Sequence, residues 1–258
     1  MGMAYTLTSR SVHRAVLVAA LLIPTLAACG SDDPKTSVKI VSPAEGANIA
    51  GGVAVSMSAA GITIEPAGDV HKDAGHFHVI ADAGCVAKGS GIPKDAQHVH
   101  FGKAQTEGTI YLTPGKHELC LQVGDGAHVA LDVTDRVTVN VGVTDQEQWC
   151  KVATEVDGLL ATGDGEDFAA TQAAYANAQP LLAQLEDGLK VVDADSQSAA
   201  DEVVQFAKLL VDAIVSAADE AAAEEALAPI WSGEEVPVSE AGIAWMLDTC
   251  GIDIDSDG

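Results

Sequence analysis

The apolar period of this chain changes once, near residue 144, and that change constrains the fold more than any other feature. From Ser37 to about Val143 the sequence is rich in Val, Thr, Ile and Gly. Its apolar residues alternate in short runs, and turn residues cut them about every 8–12 positions, the pattern of a β-sandwich. Candidate strands are "SVKIV", "VAVSMS", "HFHVIAD", "QHVHFG", "TIYLT", "HELCLQV", "HVALDV" and "RVTVNVGV". Pro and Gly at "SPAEG", "EPAGD", "LTPGKH" and "GDGAH" supply the fixed or positive φ that the connecting turns need. In the last strand Val137, Val139, Val141 and Val143 fall on one face.

From Asp145 onward the chain turns to Ala, Leu, Glu and Asp, with apolar residues three and four apart, as in "FAATQAAYANAQPLLAQLEDGL". That spacing predicts four or five amphipathic helices. Asp167 is placed to cap one of them and Ser196 or Ser198 the next, while Pro180 is expected to kink or divide the helix that carries it. The expected fold is therefore α+β: an immunoglobulin-like or cupredoxin-like sandwich over 38–143, then an all-α bundle over 145–252 and an acidic tail over 253–258. The tail's "DIDSDG" is half of a calcium loop, without the Glu that completes the ligand shell.

The beginning of the chain carries an address. Arg10 and Arg14 precede "AVLVAALLIPTLAA", an apolar run short for a bilayer span and ending in small residues, as an export signal does. Leu26, Ala27, Ala28 and Cys29 resemble the bacterial lipobox, whose Cys is diacylated and becomes the mature N-terminus. The resemblance implies a signal peptide over 1–28, lipidation at Cys29, a polar tether over 29–37 and a protein anchored outside the plasma membrane. The formal net charge of −25 excludes nucleic acid as a partner, because phosphates are repelled over the whole surface. The acidic excess is concentrated in the helical half, which holds 25 of the 38 carboxylates and 3 of the 13 Lys and Arg; the plain reading is a solvated helical face.

With Cys29 assigned to lipid, Cys85, Cys120, Cys150 and Cys250 remain, an even number in an oxidising compartment. Three pairings are possible. The change of character between the two sets favours Cys85 with Cys120 and Cys150 with Cys250. Trp149 and Trp245 lie beside the second pair and are expected to pack around it.

Two His-x-His pairs, in "GHFHV" and "QHVHF", carry the strongest chemical signal. On a strand, His76 and His78 share one face and Phe77 and Val79 the other; His98 and His100 split from Val99 and Phe101 in the same way. With the apolar faces in the sandwich core, the four imidazoles lie on the outer surface of a sheet. If the two strands are neighbours, His76, His78, His98 and His100 form a metal site, with zinc or copper as the expected ion. Asp73, Asp82 and Asp95 are candidates to orient the rings. His117 and His128 follow Gly-bearing turns and are expected at one end of the sandwich.

The segments "VSPAEGANIAGGVAVSMSAAGITIEPAG", "GHFHV" and "GIPKDAQHVHFGKAQTEGTIYLTPGKHELCLQVGDGAHVAL" resemble the domain-of-unknown-function family 4399 over about residues 38–143. Matching positions are His76, His78, His98, His100, Gln105, Thr106, Glu107, His117 and His128. Phe77 stands where that family has a middle histidine, and alternation turns it to the core, so the outward pair survives. The resemblance implies a small β-sandwich in exported proteins and no established activity. Cys85 and Cys120 look like a subgroup feature, which supports their pairing.

No nucleophile elbow, phosphate loop or His-Glu-x-x-His helix occurs, so no catalytic residue is assigned. The expected function is a membrane-anchored binding module. Two alternatives compete with it: a metal-free structural or protein-interaction lipoprotein of the cell envelope, and a metal-dependent oxidoreductase with an open coordination position.

Overall fold

The computed structural model describes residues 35–162, 167–231 and 238–253. The expected signal, Cys29, most of the tether, the Trp231 side chain and the tail after Asp253 lie outside what is described. Nine strands come first: β1 (Ser37–Ser42), β2 (Ala47–Ile49), β3 (Val53–Ala60), β4 (Thr63–Ile64), β5 (Ala74–Ala81), β6 (His98–Phe101), β7 (Glu107–Ile110), β8 (Gly115–Gly124) and β9 (Ala130–Val141).

They make two sheets, one ordered β1-β3-β7 and the other β2-β9-β8-β5-β4, with β6 also pairing β5. Alternate residues of the two sheets meet between them. Val38, Ile40, Val53, Val55 and Met57 pack with Phe77, Val79, Leu119, Leu121, Val137 and Val139 in one buried cluster. The expected alternation therefore holds in β5 and β9, with Phe77 and Val79 inward and Val137, Val139 and Val141 on the core face.

Three details differ from expectation. "HVALDV" and "RVTVNVGV" are one strand, because Thr134 and Asp135 keep their pairing with Gln122 and Leu121 across the supposed break. "TIYLT" yields a strand that starts earlier, at Glu107, and releases Tyr111 to pack against the helical core. The short β2 and β4 run parallel to β9 and β5, and a two- or three-residue strand leaves no periodic signal in the sequence.

Five helices follow: α1 (Gln146–Ala161), α2 (Phe168–Asp187), α3 (Gln197–Ser216), α4 (Glu220–Trp231) and α5 (Glu240–Cys250), with a 3₁₀ turn at Gly188–Val191. Asp145 caps α1 by accepting from the Gln148 N–H at 2.9 Å, and Asp167 caps α2 by accepting from Ala169 at 3.0 Å. Ser196 sits at the start of α3 but makes no side-chain cap bond. Pro180 does not divide α2, which runs through it to Asp187. No helix among the described residues is long and apolar enough to cross a membrane.

Cys150 in α1 is bonded to Cys250 at the end of α5, with Cα atoms 5.0 Å apart. Trp149 is fully buried beside it. Its Nε1 donates to the Leu185 carbonyl at 3.0 Å, and its ring meets Trp245 edge-on at 5.4 Å.

The sandwich and the helices share contacts within one compact unit, residues 34–258. Gln184 of α2, wholly buried, accepts from the Gly51 N–H at 2.9 Å and donates to the Leu112 carbonyl at 2.9 Å. The Glu155 carboxylate of α1 accepts from the Gly52 N–H. A Cβ at Gly51 or Gly52 would overlap that carboxylate, so the glycines let α1 approach the β2–β3 turn. Val143 passes from the end of the sandwich into the helical core.

Candidate metal centre

β5 is the strand from which the site is built, and every one of its residues is buried. The facing sheet explains the burial of its inner face, but His76 and His78 point the other way. Their face is covered because the chain between β5 and β6 folds back over it. Cys120 of β8 lies opposite Ile80, on the histidine side, and its disulfide to Cys85 ties this strap down, with Cα atoms 5.5 Å apart. Gln122, opposite His78, completes the attachment: its side chain accepts from the Val86 N–H and donates to the Val86 carbonyl, both at 2.8 Å. The expected open sheet surface is thus a covered layer, in which His76 is 0% and His78 2% exposed.

β6 is antiparallel to β5, so the two His-x-His strands are neighbours. Their register decides which histidines meet: His78 pairs with His100, and His98 pairs with Ile80. His98 therefore sits one repeat farther along, ~7 Å from His100 on the same face. The expected set of His76, His78, His98 and His100 is brought together only in part.

The fourth histidine of the group is His128, from the β8–β9 loop. One ligand atom from each of His76, His78, His100 and His128 lies within 4.8 Å of the others. His76 Nε2 and His78 Nε2 are 3.0 Å apart, and His100 Nε2 and His128 Nε2 are 3.1 Å apart. Tetrahedral coordination with bonds of ~2.0–2.1 Å sets its ligand nitrogens ~3.3 Å apart, so small ring movements separate the donors enough for an ion.

Two glycines make room for this crowding. A Cβ at Gly102, just after β6, would overlap the His100 ring, which leans across that position. A Cβ at Gly124, opposite His76, would come within 3.0 Å of His78 Nε2 and of Ile92 Cδ1. Each glycine thus gives a ring the volume that any other side chain would occupy.

His128 is fixed by its backbone. It adopts left-handed φ, +64°, a region where His is tolerated better than most residues. Asp125 Oδ1 accepts from the N–H groups of Ala127 and Val129, both at 2.9 Å, which closes the turn. Ile92 of the strap donates its N–H to the His128 carbonyl at 2.8 Å. Behind the turn, Gly68 donates to the Gly126 carbonyl at 3.0 Å, and a Cβ at Gly126 would overlap the Asp69 carbonyl.

The remaining histidines are held elsewhere. His98 Nδ1 donates to Asp95 at 2.6 Å; His117 bonds Asp82 at 2.7 Å and the Thr113 carbonyl at 2.8 Å; His71 bonds Glu65 at 2.8 Å. Asp82 and Asp95 do orient rings, though not rings of the cluster, and Asp73 is exposed beside Lys72. His117 and His128 lie at opposite ends of β8, because the turns they follow are the strand's two ends.

Three rings of the cluster are held toward the neutral form. Burial, then the neighbouring His100 and His128, pushes the His76 pKa down to about 4. Burial and the other rings push His78 down to about 3, and His100 is lowered by burial, by His128 and by Lys94. Neutral imidazoles are the form that ligates metal. The Nδ1 atoms of His76 and His78 are buried without a hydrogen-bond partner, which leaves Nε2 as the atom through which each ring makes its contact.

These shifts have a signed consequence for the metal-free protein. Well above pH ~6.5, His76 and His78 are neutral in both folded and unfolded chains, and their contribution is fully present. As pH falls from ~6.5 toward about 4 and then 3, the unfolded chain binds protons that folded His76 and His78 refuse, so stability is lost. Denaturant midpoints should fall across that window, with a smaller slope in His78→Gln; equal slopes would contradict the assignment.

Fold and site together define a β-sandwich with an all-histidine cluster that can hold a metal ion. Residues 55–142, which include all four clustered histidines, match the family described as Domain of unknown function (DUF4399). No curated protein and no solved structure matches the chain. His128 is the residue that reasoning from strand pairs passes over, although "GDGAH" is one of the motifs shared with that family; a loop residue has no periodicity to point to its direction.

Proposed function

We propose that this protein is a transition-metal-binding lipoprotein whose sandwich holds one zinc or copper ion through His76, His78, His100 and His128. The observation that carries the reading is the convergence of four imidazole nitrogens within 4.8 Å, two of them on buried rings. Purely structural histidines are normally oriented by carboxylates or carbonyls, as His98 and His117 are here. The clustered rings instead meet one another, and two of their Nδ1 atoms have no partner. An ion at the centre would replace these N–H···N contacts with metal–nitrogen bonds. A donor set of imidazole without thiolate favours copper(II), nickel and zinc, with copper(II) bound most tightly.

The address in the first 29 residues supports delivery to the outer side of a bacterial plasma membrane, with lipid on Cys29. The formal charge of −25 would enrich cations around the chain. The test is metal analysis of the chain carrying Cys29→Ser, which removes the competing thiol, after loading with copper(II) or zinc and desalting. One equivalent per chain is expected; retention of less than about a tenth of an equivalent of both metals would overturn the reading and favour a metal-free structural module.

A further inference from the structure

The clustered histidines are unequal in exposure: His76 and His78 are buried, His128 is half-buried and His100 is exposed. The open side faces a cavity of about 180 Å³ lined by His78, His100 and His128 together with Ile92, Lys94 and His98. His76 does not line it and forms the back of the site. Resting on the metal-binding reading above, we propose that this cavity is an anion site: a small anion, of the size of formate or bicarbonate, adds to the four-histidine metal as a fifth ligand from the open side and is held beside Lys94 and His98.

Imidazole ligands carry no negative charge, so four of them leave both positive charges of a divalent ion uncompensated, in a site where His76 and His78 are buried. The nearby carboxylates are already committed. Asp95 accepts from His98 Nδ1 and from the Gln97 N–H, and Asp125 accepts from two backbone N–H groups of its own turn. Neither carboxylate lines the cavity, and the charge of Asp125 acts on His76 at the back of the site, so the open face is left to an anion from solution.

The lining of the cavity points the same way. Lys94 adds a positive charge at the cavity wall, near enough to His100 to lower its pKa. A cation placed there opposes a bare metal ion and suits one that carries an anion. His98 is held by Asp95 at 2.6 Å through Nδ1, so its Nε2, which has no partner among the described residues, is the polar atom left to meet a bound ligand. Ile92 closes the cavity with an apolar surface, which weakens competition from water.

Azide on the copper(II)-loaded chain is the probe, because its coordination adds a ligand-to-metal charge-transfer band in the near ultraviolet. A saturable band is expected, with formate competing for it. Lys94 is exposed, so Lys94→Met should fold and keep its copper while weakening azide about five-fold, with the salt dependence of binding reduced. A chain that keeps one copper but gives no azide band, or an azide affinity unaltered by Lys94→Met, overturns the anion site and leaves the metal site standing. A chain that retains no copper overturns both.

Discussion

His128→Gln should lower copper or zinc affinity by at least ~100-fold, whereas His98→Gln should leave the metal count unchanged. Removing a group that merely orients a metal-ligating histidine costs ~10–100-fold, so removing the ligand itself costs more. His128 places Nε2 3.1 Å from His100 Nε2, inside the group. His98 pairs with Ile80 and spends Nδ1 on Asp95, a repeat away. Competition titrations against a chelator of known affinity separate the two variants. The reverse order, with His98→Gln losing the metal and His128→Gln keeping it, would mean that the strands rearrange to the four-histidine set that their sequence spacing alone suggests.

Cys150→Ser together with Cys250→Ser should destabilise the protein by ~4–5 kcal/mol, since the bridge closes a loop of about a hundred residues and its loss frees the unfolded chain. Two observations place the bridge at a sensitive point. Trp149, adjacent to Cys150, is fully buried and bonded to Leu185, and its ring contacts Trp245 in the helix that carries Cys250. None of the four clustered histidines lies in the helical half, so the variant should keep its metal under conditions where it stays folded. Chemical denaturation reads the first effect and metal analysis the second. A loss below ~1 kcal/mol would show that helix packing alone determines the stability of this half.

Much of the architecture was legible because it rests on periodicity. Alternation in β5 separates Phe77 and Val79 from His76 and His78, and the change to a three-to-four spacing after Asp145 marks the helices. The cysteine pairs were legible from composition and chain order. The site was legible only in part, for two physical reasons. Alternation states which face a residue occupies but not the register between strands, and it is register that sets His100 opposite His78 and His98 opposite Ile80. Burial of that face depends on the strap held by Cys85–Cys120 and Gln122, a tertiary contact without local signature. Gly102 and Gly124 read as ordinary turn glycines until the histidine rings are seen lying over them.

Two arrangements compete at the cluster: rings that coordinate an ion, and rings that only hydrogen-bond to one another. A hydrogen-bonded cluster is satisfied without an ion and changes little when metal is added. A coordinating cluster draws four nitrogens to one centre and ties β5, β6 and the β8–β9 loop together.

X-ray absorption spectroscopy of the copper- or zinc-loaded Cys29→Ser chain tests this most directly. Coordination by His76, His78, His100 and His128 predicts only nitrogen or oxygen neighbours at ~2.0–2.1 Å, with outer scattering from four imidazole rings, reduced to three in His128→Gln. A shell with two or fewer imidazoles, or one unchanged by His128→Gln, would contradict it.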